Sequence, residues 1–241
     1  MRISVVVPAF NEEKLLSRCL SSIRTAFAAS MKQALLHEVI VVDNNSTDRT
    51  AAIAGEAGVQ VVFEPVNQIS RARNAGGLRA TGDWLLFIDA DSILTSGSVD
   101  DLVACIGRGD SAGGGSIIDF LDGPVQSHAA AVCFNAFMRV TCWAAGSFVF
   151  CRADAFRDVG GFSTEVYAGE EIFFSRALKR WARDHGLRMT ILARHPHRSS
   201  ARKLRLYSLR EQVELLLRSL FFPVRTIRDP KRLGYFYDGR R

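Results

Sequence analysis

The first hundred residues contain short apolar runs, and the stretches between these runs carry apolar residues at helical spacing. The runs predict β-strands at residues 3–7, 38–42, 59–63 and 84–88. The stretches between them predict helices at about residues 12–29, 48–57 and 70–80, and Asn11 is a candidate cap for the first helix. Strands that alternate with helices form βαβ units, and strands that are apolar throughout lie in a parallel sheet covered on both faces. The pattern therefore predicts an α/β fold of Rossmann-like type, with a mostly parallel sheet and flanking helices.

The second half of the chain has a weaker pattern. It predicts strands at residues 116–120 and 147–151 and helices at about 125–141 and 170–183. Apolar residues then recur with helical spacing from Leu204 to Phe222, and Pro223 ends that segment. No repeat, low-complexity tract or linker divides the chain. We predict one domain over residues 1–203, with residues 204–241 forming a basic amphipathic extension that packs on it.

Composition limits the class of protein. The chain has 241 residues, 48% of them hydrophobic and 23% charged, as in a globular domain large enough to bury a core. Its five cysteines are widely spread without a Cys-x-x-Cys pair, which argues against a disulfide framework and a zinc site and favours a reducing compartment. The longest apolar stretch, 129–151, contains Asn135 and Arg139 and is expected to be core rather than a membrane span. We therefore expect a cytoplasmic protein, either free or peripheral at the inner face of the membrane.

Positive charge is concentrated at the carboxyl end. The formal net charge is +6, but residues 194–241 hold 13 Lys and Arg against 4 Asp and Glu, so the preceding residues are slightly acidic. A basic segment suits an anionic partner such as phosphate, a lipid headgroup or nucleic acid, or it is a solvated helix face. No recognisable nucleic-acid-binding module accompanies it, so no nucleic-acid partner is expected. An anionic membrane surface and a second copy of the chain, forming a homodimer, stay open as partners of this segment.

Polar side chains follow three of the predicted strands at the point where each strand ends. The groups are Pro8 to Glu13, Asp43 to Asp48 and Asp89 to Asp91. The carboxyl ends of parallel strands meet at one edge of a sheet, so these groups should line one crevice, where helix amino termini also offer amides to an anion. Arg71 and Arg73, early in the third helix, could reach phosphates there.

The pair of Asp89 and Asp91, directly after an apolar strand, is the strongest sign of chemistry. Two carboxylates held close together are costly unless a cation or hydrogen bonds compensate them. A hard divalent ion completed by substrate phosphates would do so, whereas a loop in which Asp89 caps the next helix is the simpler alternative. With arginines for phosphates and an Asp/Asn pair for a nucleobase or ribose, the clusters together favour a nucleotide site that holds a metal ion.

These motifs, in this order, resemble those of glycosyltransferase family 2, the inverting, nucleotide-sugar-dependent transferases of the GT-A fold. The likeness rests on the segments 4–12, 38–48, 72–76 and 89–91, which read SVVVPAFNE, EVIVVDNNSTD, ARNAG and DAD. It continues through Gly160-Gly161-Phe162 and Glu170-Glu171. The resemblance implies a GT-A type fold and a hexosyl or related transferase that moves a sugar from a nucleoside diphosphate donor to a hydroxyl acceptor. The acceptor would be a small molecule, a glycan or a lipid-linked compound.

The resemblance also implies roles for individual residues. Asp43 would accept a hydrogen bond from uracil or guanine, Arg73 would lie near the sugar or the diphosphate, and Asp89 would contact the ribose or the metal. Asp91 would ligate Mg²⁺ or Mn²⁺, which bridges the diphosphate and offsets the charge on the leaving group. The remaining residues expected in the nucleotide-sugar pocket are Pro8, Ala9, Phe10, Glu12, Asn45 and Ala90.

A general base for the acceptor hydroxyl is expected from the acidic pair Glu170 and Glu171. In the family a Glu-Asp pair follows a Gly-Gly-Phe segment at the start of a helix, whereas here the second acid is a glutamate, which is one methylene longer. We predict Glu171 as the base, with Glu170 as the alternative. A carboxylate beside a bound diphosphate should have a raised pKa, which suits a general base. Two acids favoured there by the helix dipole are the structural alternative.

Late polar residues supply the last candidates for the site. Some relatives use a late histidine as a metal ligand and late basic residues as diphosphate contacts. The resemblance therefore offers His195 or His197 for the first role, and Arg202 and Lys203 for the second. A lone histidine is more often structural or solvated than a ligand.

Other functions were weighed against a transferase. A sugar nucleotidyltransferase has a similar sheet and an acidic metal site, but it needs a glycine-rich phosphate loop, and residues 8–13 contain no glycine. A nicotinamide dehydrogenase is disfavoured because no Gly-x-Gly-x-x-Gly follows a strand. A catalytically silent nucleotide-sugar-binding module of the same fold is disfavoured by the presence of Asp43, Asp89, Asp91 and Glu171.

Overall fold

The computed structural model describes residues 1–30, 36–120, 125–144, 146–200, 202, 227–229 and 233. In this part of the chain the strands are β1 (Arg2–Ala9), β2 (Leu36–Asp43), β3 (Gln60–Phe63), β4 (Trp84–Ile88), β5 (Ser92–Ile93), β6 (Ser111–Phe120), β7 (Phe148–Arg152) and β8 (Arg188–Ser199). The helices are α1 (Leu16–Ala29), α2 (Thr50–Glu56), α3 (Ile69–Arg79), α4 (Ser96–Gly107), α5 (Val125–Thr141), α6 (Ala153–Asp158) and α7 (Glu170–Asp184). The predicted helix at 204–222 lies outside the described residues, and of the extension 204–241 only residues 227–229 and 233 are described.

The strands form one sheet in the order β3-β2-β1-β4-β7-β6-β8-β5. β1 pairs in parallel with β2 and β4, and β2 pairs in parallel with β3, so the first half of the chain builds a parallel half-sheet. β7 runs antiparallel to both β4 and β6, whereas β6 and β8 are parallel to each other. The predicted α/β fold, with a mostly parallel sheet and flanking helices, is confirmed.

Both faces of the central strands are buried. Val5 and Val7 of β1 belong to a core shared with α1 and α4, whereas Val6 belongs to a core shared with α3, α6 and α7. Successive side chains of a strand point to opposite faces, so a run that is apolar throughout requires helices on both. β3 departs from this rule because it is an edge strand, in which Val61 and Phe63 are 39% and 61% exposed.

The structure contains elements that the sequence pattern did not predict, namely α4, α6, β5 and β8. α4 starts with a capping box, in which Thr95 and Ser98 hydrogen-bond each other's main-chain N–H. β8 mixes buried, intermediate and exposed positions, and this polarity hides it in the sequence. The prediction that Asn11 caps α1 is wrong. Asn11 adopts a left-handed φ of 52° and its Oδ1 accepts a hydrogen bond from Thr47 N, while α1 begins at Leu16.

The long apolar stretch at 129–151 is only partly core. β7 is buried, and α5 packs on β6 through Met138, but Val132 and Val140 of α5 are 69% and 85% exposed. The expectation of a buried segment is therefore wrong for the outer face of α5. Within the described ranges, no helix combines the length and the apolar content that a bilayer crossing requires.

Candidate active site

A cavity of about 240 Å³ opens at the carboxyl ends of β1, β2 and β4, the edge of the sheet that the sequence predicted. Its wall also includes residues of α3 and the start of α7. The lining residues are Pro8, Ala9, Phe10, Glu12, Asn44, Asn67, Ile69, Arg73, Asp89, Ala90, Asp91, Gly146, Tyr167, Ala168, Gly169, Glu170 and Glu171. Residues predicted from the ends of β1 and β4 and from the start of a helix some 80 residues later therefore share one cavity, and their roles remain predictions.

The segment after β1 is tied to the loop after β2. Asn11 N donates to Ser46 Oγ at 3.0 Å, and Glu12 N donates to Thr50 Oγ1 at 2.8 Å. The Glu12 side chain is 10% exposed and accepts a hydrogen bond from the Arg202 guanidinium at 2.7 Å. Arg202 does not line the cavity, so the structure connects it to the wall through Glu12.

At the end of β2, two adjacent residues have different surroundings. Asp43 is 5% exposed, and its Oδ1 accepts a hydrogen bond from Ser46 N at 3.1 Å, which fixes the turn. Asn45 follows with a left-handed φ of 64°, a conformation that asparagine tolerates. The structure brings neither Asp43 nor Asn45 to the cavity wall. It brings Asn44, which sequence reasoning did not single out.

The segment from Asp89 to Asp91 is fixed by main-chain hydrogen bonds and by the strands that flank it. Asp89 N donates to Ser147 O at 3.3 Å, and Ser92 N donates to Asp89 O at 3.0 Å. Ser92 begins β5, which pairs with the end of β8, so strands flank Asp89 and Asp91 on both sides. The simpler alternative, in which Asp89 caps the next helix, is wrong because Thr95 caps α4.

Arg73 is a buried cation between two carboxylates. Its side chain is 3% exposed, its Nη1 donates to Glu170 Oε1 at 2.6 Å, and its Nη2 donates to Asp89 Oδ1 at 3.1 Å. The guanidinium carbon also lies 5.2 Å from the centre of the Phe162 ring. Burial lowers the pKa of Arg73, but the charges of Asp89 and Glu170 outweigh burial and raise the pKa overall. Arg73 lines the cavity, yet both of its terminal nitrogens donate to acids of the protein.

The two acids at the start of α7 differ in accessibility. Glu170 is 4% exposed, and burial, followed by the charge of Glu171, raises the pKa of Glu170 although the Arg73 guanidinium acts in the opposite direction. Glu171 is half-buried, and its Oε1 accepts a hydrogen bond from Gly146 N at 3.3 Å. Gly169 starts this turn with a left-handed φ of 71°, which favours glycine. Glu171 is therefore the carboxylate of this pair that stays accessible from the cavity.

Sequence reasoning missed the loop at 163–169, which brings Tyr167 to the cavity wall. α3 holds this loop in place. Asn74 exchanges two hydrogen bonds of 2.8 Å with the main chain of Phe162, and Gln68 Nε2 donates to two carbonyls of the loop at 2.9 Å each. The available signal was the pair of amide side chains near Arg73, Gln68 just before α3 and Asn74 within it, but their hydrogen-bond partners lie some 90 residues further along the chain.

Neither predicted histidine lines the cavity. His195 N donates to Asp101 Oδ2 at 2.8 Å, and its Nδ1 lies 3.1 Å from Asp101 Oδ1 on α4. His197 is fully buried in β8, with Nε2 at 2.7 Å from Ser147 Oγ and Nδ1 at 3.2 Å from Ile117 O. Burial lowers the pKa of His197 to about 4, so the ring is neutral at neutral pH. The predicted metal ligation by these histidines has no counterpart at the cavity wall.

The predicted metal ion can be compared with the side chains that face the cavity. The described ranges contain no group of three His, Cys, Asp or Glu side chains that could hold an ion. Asp89 and Asp91 nevertheless offer carboxylate oxygens at the wall. Mg²⁺ is usually bound by one or two carboxylates, with waters and substrate phosphates completing its shell, and Mn²⁺ takes similar oxygen ligands. The donors therefore fit a divalent ion that arrives with a diphosphate. Lys203, predicted to contact that diphosphate, lies outside the described residues.

Comparison with known sequences agrees with this architecture. The sequence pattern of the family described as Glycosyl transferase family 2 matches residues 4–152. An uncharacterized glycosyltransferase of Mycobacterium tuberculosis is 39% identical over 107 residues, which make up 44% of this chain and 44% of that protein. The matched region thus spans less than half the length of that curated relative.

Solved structures share the fold. S. aureus TarS 1–349 in complex with UDP-GlcNAc superposes with a TM-score of 0.65 at 19% identity, covering 98% of this chain and 69% of that one. The mannosyltransferase PcManGT from Pyrobaculum calidifontis, in complex with GDP-Man and Mn²⁺, superposes with a TM-score of 0.62 at 19% identity, covering 89% of this chain and 61% of that one. These likenesses concern the fold alone, whereas the family match extends over more than half of the chain. On that match, the chain belongs to glycosyl transferase family 2.

Proposed function

We propose that this protein transfers a sugar from a nucleoside diphosphate donor to a hydroxyl acceptor, by a single displacement that inverts the anomeric carbon. The observation that carries the proposal is the meeting of two kinds of carboxylate in one cavity. Glu171 is an accessible acid at the start of α7, and Asp89 and Asp91 are acids at the end of β4. Structural neighbours that bind UDP-GlcNAc and GDP-Man support the class of donor.

Glu171 acts as the general base in this proposal. As the acceptor oxygen bonds to the anomeric carbon, Glu171 takes the hydroxyl proton, and the bond from that carbon to the diphosphate oxygen breaks. The diphosphate leaves with the electron pair. Glu170 is unsuited to the role because it is buried and paired with Arg73 at 2.6 Å. Its pairing instead fixes the first turn of α7, and so orients Glu171.

Asp91 and Asp89 would hold a divalent ion together with the diphosphate. When bound, such an ion supplies positive charge that offsets the charge gained by the leaving diphosphate. Arg73 keeps the Asp89 carboxylate at the cavity edge through its 3.1 Å contact. The chain therefore provides a base on one element and acids on another, as displacement from opposite sides of a sugar requires.

The acceptor and the further partners rest on sequence alone. The small-molecule, glycan and lipid-linked acceptors stay alternatives, since nothing in the described cavity wall selects among them. The anionic membrane surface and the homodimer were predicted from the extension 204–241, most of which lies outside the described residues. The described residues of the extension support neither.

Release of nucleoside diphosphate from a panel of UDP- and GDP-sugars, with Mn²⁺ and with EDTA, tests this function. We expect Glu171→Gln and Asp91→Asn each to lower the rate by about 10²-fold or more, the usual contribution of a general base or of a charge-stabilising group. Glu56→Gln changes an acid on α2 that is 65% exposed and is the matched control, expected to retain the wild-type rate. The anomeric configuration of the product, read by NMR, tests inversion.

Two results would contradict the proposal in different ways. Binding of a nucleotide sugar without turnover of any donor in the panel would favour the catalytically silent module. Turnover that Glu171→Gln and Asp91→Asn both leave unchanged would place the chemistry elsewhere in the chain.

A further inference from the structure

The outer face of α5 exposes a row of apolar side chains. Val132 and Val140 are 69% and 85% exposed, Phe137 is 39% exposed, and Cys133 is exposed as well. Their spacing places them on one side of the helix, whereas Met138 on the other side is fully buried. Single exposed apolar residues are ordinary, but a row of them on one helix face marks an interaction site. The outer face of α5 is therefore a candidate interaction surface.

A row of positive charges on α7 accompanies this apolar face. Four basic side chains are exposed with the spacing i, i+3, i+4 and i+7, which places them on one face of the helix: Arg176, Lys179, Arg180 and Arg183. Phe173, one turn earlier on the same face, is 41% exposed. Residues 172–183 contain no acid. The exposed face of α7 is therefore positively charged along its length, with an aromatic ring near its start.

The apolar face of α5 and the basic face of α7 meet at the carboxyl end of α5. Lys179 Nζ donates to Thr141 O at 3.0 Å, and Thr141 directly follows the exposed Val140. Ser175 Oγ donates to Ala144 O at 2.8 Å, which fixes the segment after α5 against α7. The two faces therefore form one surface, the α5–α7 surface, in which apolar side chains and positive charges are neighbours.

The charge of the α5–α7 surface disfavours a cover made of this chain. Neither α5 nor residues 172–183 contain an acid, so this surface lacks negative charge. Residues 194–241 are basic too, with 13 Lys and Arg against 4 Asp and Glu, and repulsion between like charges opposes their packing here. A second copy, placed by two-fold symmetry on the same surface, would bring two rows of positive charge together. The surface is complementary to an anionic partner.

Among anionic partners, a membrane matches both components of the surface. A nucleic acid would pair with the basic side chains but would offer its charged backbone to the exposed valines and phenylalanines. At a membrane, anionic headgroups attract Lys and Arg, while apolar side chains enter the boundary between headgroups and acyl chains. Trp143, half-buried with its ring centre 5.8 Å from that of Phe137, adds an indole of the kind enriched at membrane–water interfaces.

We propose that the α5–α7 surface docks this protein on an anionic membrane surface. The two helices would lie along the membrane, with the apolar face of α5 in the interface and the basic row of α7 against the headgroups. This docking uses described helices and is distinct from any contact of the extension 204–241. It goes beyond the proposed function and does not depend on it.

Cosedimentation of the whole chain with lipid vesicles tests the docking. Vesicles of phosphatidylcholine with about one third phosphatidylglycerol would be compared with vesicles of phosphatidylcholine alone, at low and at high salt. We expect the anionic vesicles to bind the protein, high salt to weaken that binding, and the neutral vesicles to bind it poorly. The triple variant Arg176→Gln, Arg180→Gln, Arg183→Gln should lower the partition coefficient about tenfold or more, since each basic side chain near an anionic surface strengthens binding.

A matched triple variant separates this surface from net charge. Arg18→Gln, Arg49→Gln, Arg108→Gln removes the same charge at exposed positions in α1 and at the ends of α2 and α4. These helices pack on the side of the sheet opposite α7, so this variant should retain most of the wild-type binding. Melting temperatures close to that of the wild type would show that both variants are folded.

A second pair of variants tests the apolar component without a change of charge. Val132→Ser, Val140→Ser should weaken binding to the anionic vesicles about tenfold or more, because the apolar area that leaves water becomes smaller. Leu78→Ser changes an apolar side chain of α3 that is 73% exposed, and it should bind as the wild type does.

A fluorescent label locates the contact on the molecule. An environment-sensitive dye on Cys133 should shift to shorter wavelength with anionic vesicles and be quenched by brominated lipid. The same dye on Ala52→Cys in a Cys133→Ser background, at an exposed position of α2, should show neither effect.

Three results would overturn the proposal. The wild type could fail to bind the anionic vesicles. The α7 variant and its matched control could weaken binding equally, which would assign binding to overall charge. The dye on Cys133 could stay unchanged while the protein binds, which would assign binding to another surface such as the extension 204–241. No nucleotide takes part in these measurements, so this inference and the proposed function fail independently.

Discussion

At the scale of single residues, Arg73 connects the two sides of the candidate active site. It donates to Asp89 after β4 and to Glu170 at the start of α7, and all but 3% of its surface is buried. A buried cation of this kind is compensated only while its partners are in place, and Glu170, whose side chain is 4% exposed, depends in turn on Arg73. The charge balance of the cavity therefore depends on one guanidinium group.

We predict that Arg73→Met destabilises the protein by about 3–5 kcal/mol, because it leaves the buried Glu170 and the partly exposed Asp89 without their cation. The double variant Arg73→Met, Glu170→Met should recover part of the loss, since it removes one of the unpaired acids. Urea denaturation of the two variants and of the wild type measures this. Arg49→Met is the control for an exposed pair with Glu56 and should change stability by no more than about 1 kcal/mol. An Arg73→Met loss as small as that of the control would contradict the buried pairing.

His197 gives a prediction of pH dependence at the same scale. Its pKa is lowered from 6.5 to about 4, so between these values the unfolded chain binds a proton that the folded protein excludes. Stability from this residue is therefore complete above pH 6.5 and is lost as the pH falls towards 4. At about 1.4 kcal/mol per pKa unit, the contribution is at most about 3.5 kcal/mol.

The measurement is urea denaturation between pH 4.5 and 7.5 in the presence of a chelator. The stability difference between wild type and His197→Gln should grow as the pH rises to 6.5 and then stay constant. His128→Gln, which changes an exposed histidine of α5, should show no such growth. A pH-independent difference for His197→Gln would mean that the ring is not buried in its neutral form.

At the scale of elements, the close packing of one strand explains a run of glycines in the sequence. Residues 113–115 of β6 are all glycine, and β6 runs between β7 and β8. A methyl group on Gly114 would overlap the main-chain carbonyl of Thr190 on β8. The glycine run therefore reflects the close approach of two backbones, and the candidate active site lies elsewhere.

We predict that Gly114→Ala destabilises the protein by about 1–3 kcal/mol, because the neighbouring backbone must move to admit the methyl group. Gly55→Ala is the matched control in α2, where the added methyl group meets no atom within 4 Å. It should stabilise the protein by about 0.5–1 kcal/mol, the usual gain of alanine over glycine within a helix. Thermal or chemical denaturation compares the two signs, and a loss in both variants would contradict this account of β6.

At the scale of the whole molecule, the five cysteines differ in burial, and the difference shows which parts of the chain belong to the core. Cys19, Cys105 and Cys151 are buried, whereas Cys133 on α5 is exposed and Cys142 is half-buried. Burial also raises the pKa values of Cys19 and Cys151, which keeps both thiols protonated. Cys19 in addition donates to Asp89 O at 3.6 Å, directly behind the acidic motif.

Reaction with a thiol reagent should therefore modify Cys133 first and Cys142 next in the native protein, and all five thiols only after unfolding. Mass spectrometry of partly labelled protein identifies the modified residues. Cys133→Ser should remove the fastest phase without altering the melting temperature, since the side chain faces solvent. Labelling of Cys19, Cys105 or Cys151 at the rate of Cys133 would contradict the two-layered core.

Much of this architecture was readable from the chain alone. The strand at 84–88 and the helix at 125–141 have the predicted bounds, and the polar ends of β1, β2 and β4 meet at one cavity. These features follow from hydrophobic periodicity, which is carried by neighbouring residues, and from the general rule that the carboxyl ends of parallel strands share one edge of a sheet. α4 and β8 escaped prediction. β8 mixes buried and exposed positions without a regular alternation, so its sequence does not resemble that of a buried strand.

What the sequence by itself determined is the fold class, the edge of the sheet at which the cavity opens, and most of the residue types gathered there. Tertiary structure alone decided the partners: Arg73 with Glu170, 97 positions away, and Asn44 in place of Asp43 at the cavity wall. It also decided that His195 and His197 face the protein rather than the cavity. Periodicity is a local property of the chain, whereas the partner of a polar side chain depends on where distant segments cross, and no local pattern records that.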